Sequence, residues 1–358
     1  MIDIMHVITG LGRGGAETTL VQLAAALQAR GLSQHVVSLS AHDALAPELR
    51  AAKLDVSILG ADSVLSAPAA ITSLVELVHR LQPRVLQGWM YHGNLAASLC
   101  HALAGGRRSR KLFWNLRASN MDDDRYGRVL WLSSLLSGMP DVVVANSEAG
   151  AAFHRARGFR PKRMIMIGNG VDVDRFRPDP AEGQRLRAEL GIAGDMLVVI
   201  HVARVDPMKD HENFVAAMAE LPSVAGLMVG DGTQGLRVPP NVRALGVRAA
   251  AEVPYAAADI VASTSAFGEG FSNAIAEGMS AGLVPVATDV GDARRIVGDT
   301  GFVVPPRDPR AFAAAIGKIA ALSAAERRSR GQAARERIAA NFTLARSVEA
   351  YAQLYAQP

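Results

Sequence analysis

Two glutamates eight residues apart bracket a glycine-flanked loop, Glu269-Gly270-Phe271-Ser272-Asn273-Ala274-Ile275-Ala276-Glu277. The run from Asn273 reads as a helix with Ser272 at its N-cap. A helix start offers backbone N–H groups and a partial positive charge, which suits a phosphate. Glu277 falls about one and a half turns into that helix, while Glu269 stays on the loop before it. Carboxylates repel phosphate but accept hydrogen bonds from hydroxyls. An anion site with a carboxylate on each side therefore suits a diphosphate carrying a sugar at each end, the shape of a nucleotide sugar. Taken alone, the loop could also be two solvent-facing glutamates.

Upstream, Ala203-Arg204-Val205-Asp206-Pro207-Met208-Lys209-Asp210-His211 follows the apolar run Met196 to Val202, placing two cations on the loop at a strand's carboxyl end. Arginine supplies a fork matched to phosphate oxygens and lysine a mobile point charge. With the helix start they could neutralise a departing diphosphate without a metal. A surface salt-bridge loop is the plainer alternative. Val229-Gly230-Asp231-Gly232 adds a strand ending in a turn, informative only in this order.

Near the amino end, Gly10-Leu11-Gly12-Arg13-Gly14-Gly15-Ala16-Glu17 lies between the first apolar run and the first helical segment and satisfies G-x-G-x-x-G. A nicotinamide-dependent oxidoreductase therefore comes into consideration. Against it, the second strand runs out as Leu39-Ser40-Ala41-His42-Asp43, with no acid at its tip to hold a dinucleotide ribose. Whatever the ligand, Gly14 and Gly15 let backbone approach an anion or sugar closely at a helix N-terminus. Asp122-Asp123-Asp124 contains a D-x-D that could hold a hard cation bridging a diphosphate. It sits in a polar stretch and reads better as a solvated acidic turn, so no metal or other cofactor is expected.

The elements that must position these residues are legible as an alternation. Short Val- and Ile-rich runs near Ile4 to Ile8, His35 to Leu39, Val85 to Leu86, Leu112 to Asn115 and Val142 to Ala145 are separated by helical segments such as Ala16 to Arg30 and Ser66 to Leu81. The pattern restarts at Met196 to Val202, Leu227 to Val229, Ile260 to Ala262 and Val284 to Ala287, with helices near His211 to Glu220 and Asn273 to Ser280. Such alternation builds parallel strands covered by helices, here twice. A length of 358 residues agrees with two domains at roughly 150 residues each. The expected division is residues 1–170, 171–342 and a last helix, 343–358, packing back on the first domain. Arg175-Phe176-Arg177-Pro178-Asp179-Pro180, with two prolines, is the hinge candidate. Ligands of doubly wound sheets bind beyond the strands' carboxyl ends, so the two domains are expected to face each other across a cleft that holds the chemistry.

Composition removes other classes. The chain is 49% apolar and 20% charged, enough to bury a sizeable core in each domain, which excludes global disorder. One cysteine, Cys100, excludes an internal disulfide and a Cys-rich metal cage. There is no basic leader at Met1-Ile2-Asp3 and no run of about 18 uncharged apolar residues, so a cytoplasmic protein is expected. The net charge is +4, and only five of the 38 basic residues are lysine. The clusters Arg107, Arg108, Arg110 and Lys111, and Arg327 to Arg337, could meet an anionic membrane surface or be solvated faces. Neither interleaves aromatics in the manner of a nucleic-acid site, so no nucleic-acid partner is expected.

Together these residues resemble the family 4 retaining glycosyltransferases of the GT-B fold, of the bacterial polysaccharide and capsule type, over nearly the whole chain. GLGRGGAET resembles the family's first-domain loop, Ile167 to Asp172 (IGNGVD, with Asn169) its crossover segment, ARVDPMKDH its diphosphate clamp and EGFSNAIAE its paired-glutamate element. The resemblance implies a metal-independent hexosyltransferase using a nucleotide-sugar donor, a UDP-sugar, and a hydroxyl acceptor that is a surface-glycan or lipid-linked precursor. It implies that Glu269 contacts the transferred sugar and Glu277 the ribose. Arg204, Lys209 and the N–H groups around Phe271, Ser272 and Asn273 would hold the diphosphate, with Gly14, Gly15, Asn169 and Gly230 lining the ligand. Many members carry a His after the strand that here reads Phe113-Trp114-Asn115-Leu116-Arg117; this chain has Arg117 there and His92 at another strand end, either of which could take that role. The family's glutamate near Gly291 is replaced by Arg295. A nucleotide-sugar epimerase of the same fold, the oxidoreductase and a catalytically silent binding module are the rival readings.

Overall fold

The computed structural model describes residues 1–63, 65–105, 110–119, 121 and 123–357. The chain divides into two compact units, one made of Met1–Asn169 with Ala345–Pro358 and the other of Gly170–Leu344.

In the first unit the chain runs β1 (Ile4–Ile8), α1 (Gly15–Ala29), β2 (Gln34–Ser38), α2 (Ala46–Ala51), β3 (Asp55–Ile58), α3 (Ala67–Leu81), β4 (Val85–Trp89), α4 (Met90–Leu103), β5 (Lys111–Leu116), α5 (Asp123–Leu136), β6 (Val142–Ala145), α6 (Glu148–Ala156) and β7 (Met164–Met166). The second unit holds α7 (Pro180–Glu189), β8 (Val198–Val202), α8 (His211–Ala219), β9 (Ala225–Val229), β10 (Val242–Gly246), α9 (Glu252–Ala256), β11 (Ile260–Ser263), α10 (Asn273–Ser280), β12 (Val284–Thr288), α11 (Ala293–Val297), β13 (Phe302–Val304), α12 (Pro309–Ala320) and α13 (Ala324–Asn341). A last helix, α14 (Leu344–Ala356), begins at the boundary, and from Ala345 it belongs to the first unit.

Both sheets are parallel where they pair, with orders β3-β2-β1-β4-β5-β6-β7 and β10-β9-β8-β11-β12-β13. Each order reverses beside its first strand, the doubly wound arrangement, whose ligands bind at that switch point. The switch falls between β1 and β4 in one unit and between β8 and β11 in the other.

Period-2 alternation sorts the second unit's core into two layers. Val198 and Ile200 pack on one face with Phe271, Ile275, Met279 and Ile338. Val199 packs on the other with Phe214, Met218, Phe312 and Ile316. In the first unit Gly88 and Gly93 let α4 lie against the sheet, since a Cβ on Gly93 would sit 2.5 Å from the Val7 carbonyl oxygen. Asn94 uses that approach, accepting from the Asn115 N–H at 3.1 Å and donating to the Asn115 carbonyl at 3.2 Å.

The hinge expectation at Arg175 to Pro180 is corrected. Phe176 is buried in the second unit's core, Ser280 Oγ donates to its carbonyl at 2.6 Å, and Arg335 donates to the carbonyls of Phe176 and Val173. Pro180 opens α7 behind the N-cap Asp179, whose carboxylate accepts from the Glu182 N–H. The chain instead crosses between the units after Asn169 and after Leu344. The basic-patch expectation is corrected in part: Arg110 is buried beside Cys100, with its charge disfavoured by desolvation, and cannot present its guanidinium to a surface. Arg107, Arg108 and Asp122 lie outside the described residues. No described helix is long and apolar enough to cross a membrane.

Candidate active site

In the second unit, four loops leave the carboxyl ends of neighbouring strands and brace one another. The loop after β8 is tied to that after β9 by Ala203 N–H to Val229 O at 2.9 Å and Val205 N–H to Asp231 O at 2.7 Å. Its tip, a short 3-10 turn at Pro207–Lys209, is capped by Asp206, which accepts from the Met208 N–H at 3.0 Å. Ala266 N–H bonds Met208 O at 2.8 Å, joining this turn to the loop after β11, and Asp292 N–H bonds Gly270 O at 2.9 Å, adding the loop after β12. Gly230 is needed for the first junction: its φ is +142°, and a Cβ there would lie 2.1 Å from the Ala203 carbonyl oxygen. Gly291, at φ +62°, is pressed against the carbonyls of Glu269 and Gly270 in the same way.

This frame brings Lys209 and Glu269 together across the switch point. Lys209 Nζ donates to Glu269 Oε1, which also accepts from Ser265 Oγ at 2.8 Å. Both ionic side chains are largely covered, at 23% and 12% exposure, yet neither is sealed. Thr264 Oγ1 fixes the turn behind Lys209 by donating to the carbonyls of Lys209 and Asp210, 3.0 Å each. Arg204 stands on the same loop, exposed, with Nη2 3.3 Å from Asp206 Oδ2.

Helix α10 begins beside this pair. Ser272 occupies the N-cap position as the sequence implies, but its hydroxyl makes no capping bond, and Phe271 and Ser272 are buried. Glu277, in the second turn, is partly buried and accepts from Tyr255 Oη at 3.0 Å. Desolvation pushes its pKa up to about 7, against the pull of the Tyr255 hydrogen bond and the charge of Arg175. Arg175 is itself ion-paired with Glu252 at 2.9 Å, and Glu252 raises the Glu277 pKa slightly further. Tyr255 and Ser265 were not singled out from sequence. Ser265 carried a signal, a hydroxyl just past a strand end and four residues before Glu269; Tyr255, in an alanine-rich stretch, carried none.

In the first unit, Gly14 is the N-cap of α1 and Gly15 its first residue, beyond β1 at the other switch point. His92 is exposed on the first turn of α4, beyond β4 on the opposite side of that switch. Arg117, after β5, is buried instead. Its Nη1 donates to Asn169 Oδ1, which also accepts from Asn146 Nδ2 at 3.3 Å, and its guanidinium lies 4.7 Å over the Trp89 ring. Nε and Nη2 of Arg117 have no hydrogen-bond partner among the described residues, and desolvation lowers its pKa. Tyr351 and Tyr355 of α14 close over this polar core, Asn115 Nδ2 donating to Tyr351 Oη at 2.7 Å and Tyr355 Oη donating to Gln87 Oε1. Among the described residues no three His, Cys, Asp or Glu side chains gather as a metal site.

Comparison with known proteins agrees with this layout. The family model described as Glycosyltransferase Family 4 matches residues 13–175, and the one described as Glycosyl transferases group 1 matches residues 197–321. The D-inositol 3-phosphate glycosyltransferase of Xylanimonas cellulosilytica is 30% identical over 64% of this chain and 60% of its own length. The putative glycosyltransferase EpsD of Bacillus subtilis is 29% identical over 62% of this chain and 61% of its own. The chain thus spans about three fifths of the length of these two relatives. Anabaena HepE, crystallised with UDP and glucose, superposes with a TM-score of 0.87 at 23% identity over all of both chains; its UDP-glucose complex gives the same score over 99% of each. The fold is GT-B, two Rossmann-like parallel-sheet domains. The matches support a glycosyltransferase of family 4 and do not favour an epimerase or an oxidoreductase.

Proposed function

We propose that this chain moves a hexose from a UDP-sugar to a hydroxyl acceptor with retention at the anomeric carbon, the acceptor being a surface-glycan or lipid-linked precursor met at the inner membrane face. The observation that carries the reading is the Lys209–Glu269 pair at the β8–β11 switch point, with Arg204 on the same loop and the α10 start beside it. The complexes of HepE with UDP and UDP-glucose support the donor class.

In this reading Lys209, Arg204 and the backbone at Phe271 to Asn273 receive the diphosphate, Glu277 accepts from ribose hydroxyls and Glu269 from the sugar. As the anomeric C–O bond breaks, charge grows on the leaving diphosphate, and fixed cations stabilise it most where water is scarce. The acceptor oxygen attacks from the same face and passes its proton to the departing phosphate oxygen. The site needs no metal for these steps. In the first unit His92, Gly14 and Gly15 are the candidate ligand-facing positions, with Arg117 acting from beneath them through its bond to Asn169; in the second unit Gly230 shapes the Arg204 loop.

A thermal-shift panel of UDP-, GDP- and ADP-sugars tests the donor. At about 100 times its dissociation constant the right one stabilises by ~2.7 kcal/mol. Silence across the panel would remove the donor assignment. Arg204→Ala is expected to lower transfer by roughly 10², and a new sugar isomer from donor alone would favour the epimerase.

A further inference from the structure

We propose that the outward face of α4 and α5 is a docking surface for an anionic lipid bilayer. Ten large apolar side chains are exposed among the described residues, and five of them fall on these two helices, which pack side by side. Leu99 and Leu103 are 49% and 61% exposed on α4; Trp131, Leu132 and Leu135 are 65%, 41% and 62% exposed on α5. Their spacings of three and four residues align each set on one side of its helix. The sides turned inward are already used, by Ala97 and Cys100 on α4 and by Leu130 and Ser133 on α5. A helix on a soluble domain ordinarily turns polar residues outward, so this stripe is unexplained by the fold of the unit.

The charge at its margin selects the occupant. Arg128 is exposed on α5 one turn before Trp131 and Leu132. Lys111, exposed, opens β5 at the end of the sheet where α4 finishes, and exposed Lys162 lies near the end of α5, its Nζ 3.5 Å from the Met139 carbonyl. Two described acids share the margin: Asp141, which accepts from the Leu112 N–H at 3.0 Å, and Asp124, exposed on α5 one turn before Arg128, so three cations stand against two acids among the described side chains. A two-fold contact with a second copy would set this cationic margin near its own image, whereas anionic headgroups complement it. Tryptophan among leucines is also the composition that settles at a headgroup boundary. Because α4 runs from the carboxyl end of β4 to the amino end of β5, Leu103 lies at the opposite end of the sheet from the loops carrying Gly14 and Arg117, which docking leaves open. The inference does not depend on the transfer reaction.

The three tryptophans make the test direct, since Trp89 and Trp114 are fully buried and Trp131 alone reports on this surface. With vesicles containing phosphatidylglycerol the full chain is expected to float and its emission to shift to shorter wavelength, with no response to phosphatidylcholine alone. Trp131→Phe should abolish the spectral shift and still float. Trp131→Gln with Leu135→Gln should cut the floated fraction at least about tenfold at unchanged melting temperature. Arg128→Glu, which changes the local charge by two, should cut it by about thirtyfold. The proposal is overturned if the wild-type chain does not float with anionic vesicles or if the double variant floats as well as wild type. It is equally overturned if light scattering finds a vesicle-free dimer that the double variant dissolves.

Discussion

Replacing Lys209 by methionine keeps most of the side chain's volume and removes its charge, and the consequences separate a structural ion pair from a catalytic one. Lys209 and Glu269 are mostly covered, so the loss removes the Lys209 ion pair from the Glu269 carboxylate, while Ser265 still donates to it. Breaking one half of a covered pair costs on the order of 1–3 kcal/mol, which for a domain of this size lowers melting by about 2–4 °C per kcal/mol. Glu269→Gln added to Lys209→Met removes the carboxylate's charge as well and should recover most of that stability. Transfer should behave differently. If Lys209 balances charge on the leaving diphosphate, kcat falls by roughly 10² or more in the single variant and stays down in the double. The assay is a double-mutant cycle read twice, by calorimetric melting and by steady-state transfer from the donor that the shift panel selects. Recovery of wild-type kcat in the double variant would refute the clamp, because it would mean the pair only holds two loops together.

Glu277, with a pKa near 7, should make donor affinity tighten as pH rises from 6 to 8, when the carboxylate becomes available to accept from ribose; a flat profile by titration calorimetry contradicts its role. Its raised pKa also means that it stabilises the fold most below pH 4.5, and that this contribution is lost as pH rises through about 7. Tyr255→Phe removes a hydrogen bond that lowers that pKa, so the midpoint of donor affinity should move to higher pH. Gly230→Ala forces a side chain into a φ of +142° and onto the Ala203 carbonyl; beyond a backbone strain of about 1–3 kcal/mol, it should loosen the Arg204 loop, seen as lower melting and weaker donor binding, and wild-type values for both would contradict that role. Arg117→Met should melt at or above the wild-type temperature, because a desolvated guanidinium with two nitrogens unpartnered among the described residues is costly to bury, while transfer falls; unchanged transfer would make Arg117 purely architectural.

The central strands were legible because a strand buried on both faces must be apolar throughout, as in Val142 to Ala145 and Ile260 to Ser263. The strands left unread, β3, β7, β10 and β13, lie at the sheet edges and are three to five residues long: β7 (MIM) and β13 (FVV) are apolar but too short to mark a strand, and β3 and β10 are partly solvated and mix apolar with polar residues. The positions of Lys209, Glu269 and Ser272 in the fold were readable because a helix start and a strand end place them with backbone geometry alone. Arg117 and Arg110 were not, since sequence gives an arginine's position but not whether its guanidinium turns inward. The prolines after Arg175 mark a helix entrance, and a proline at a first turn looks the same in sequence as one in a linker. Trp131, Leu132 and Leu135 carry no mark in the sequence, and only the packing of α5 shows that the described residues leave them 41–65% exposed.

The placement of α14 bears on how the molecule is made. Tyr351 and Tyr355, which roof the polar core around Arg117, are supplied by a segment that follows the second unit. A nascent chain therefore holds the first sheet unroofed on the ribosome while the whole of the second unit is synthesised. Of these two units the one that emerges first is completed second, and a fragment ending at Asn169 should yield a loosened, dye-binding product rather than an independent domain.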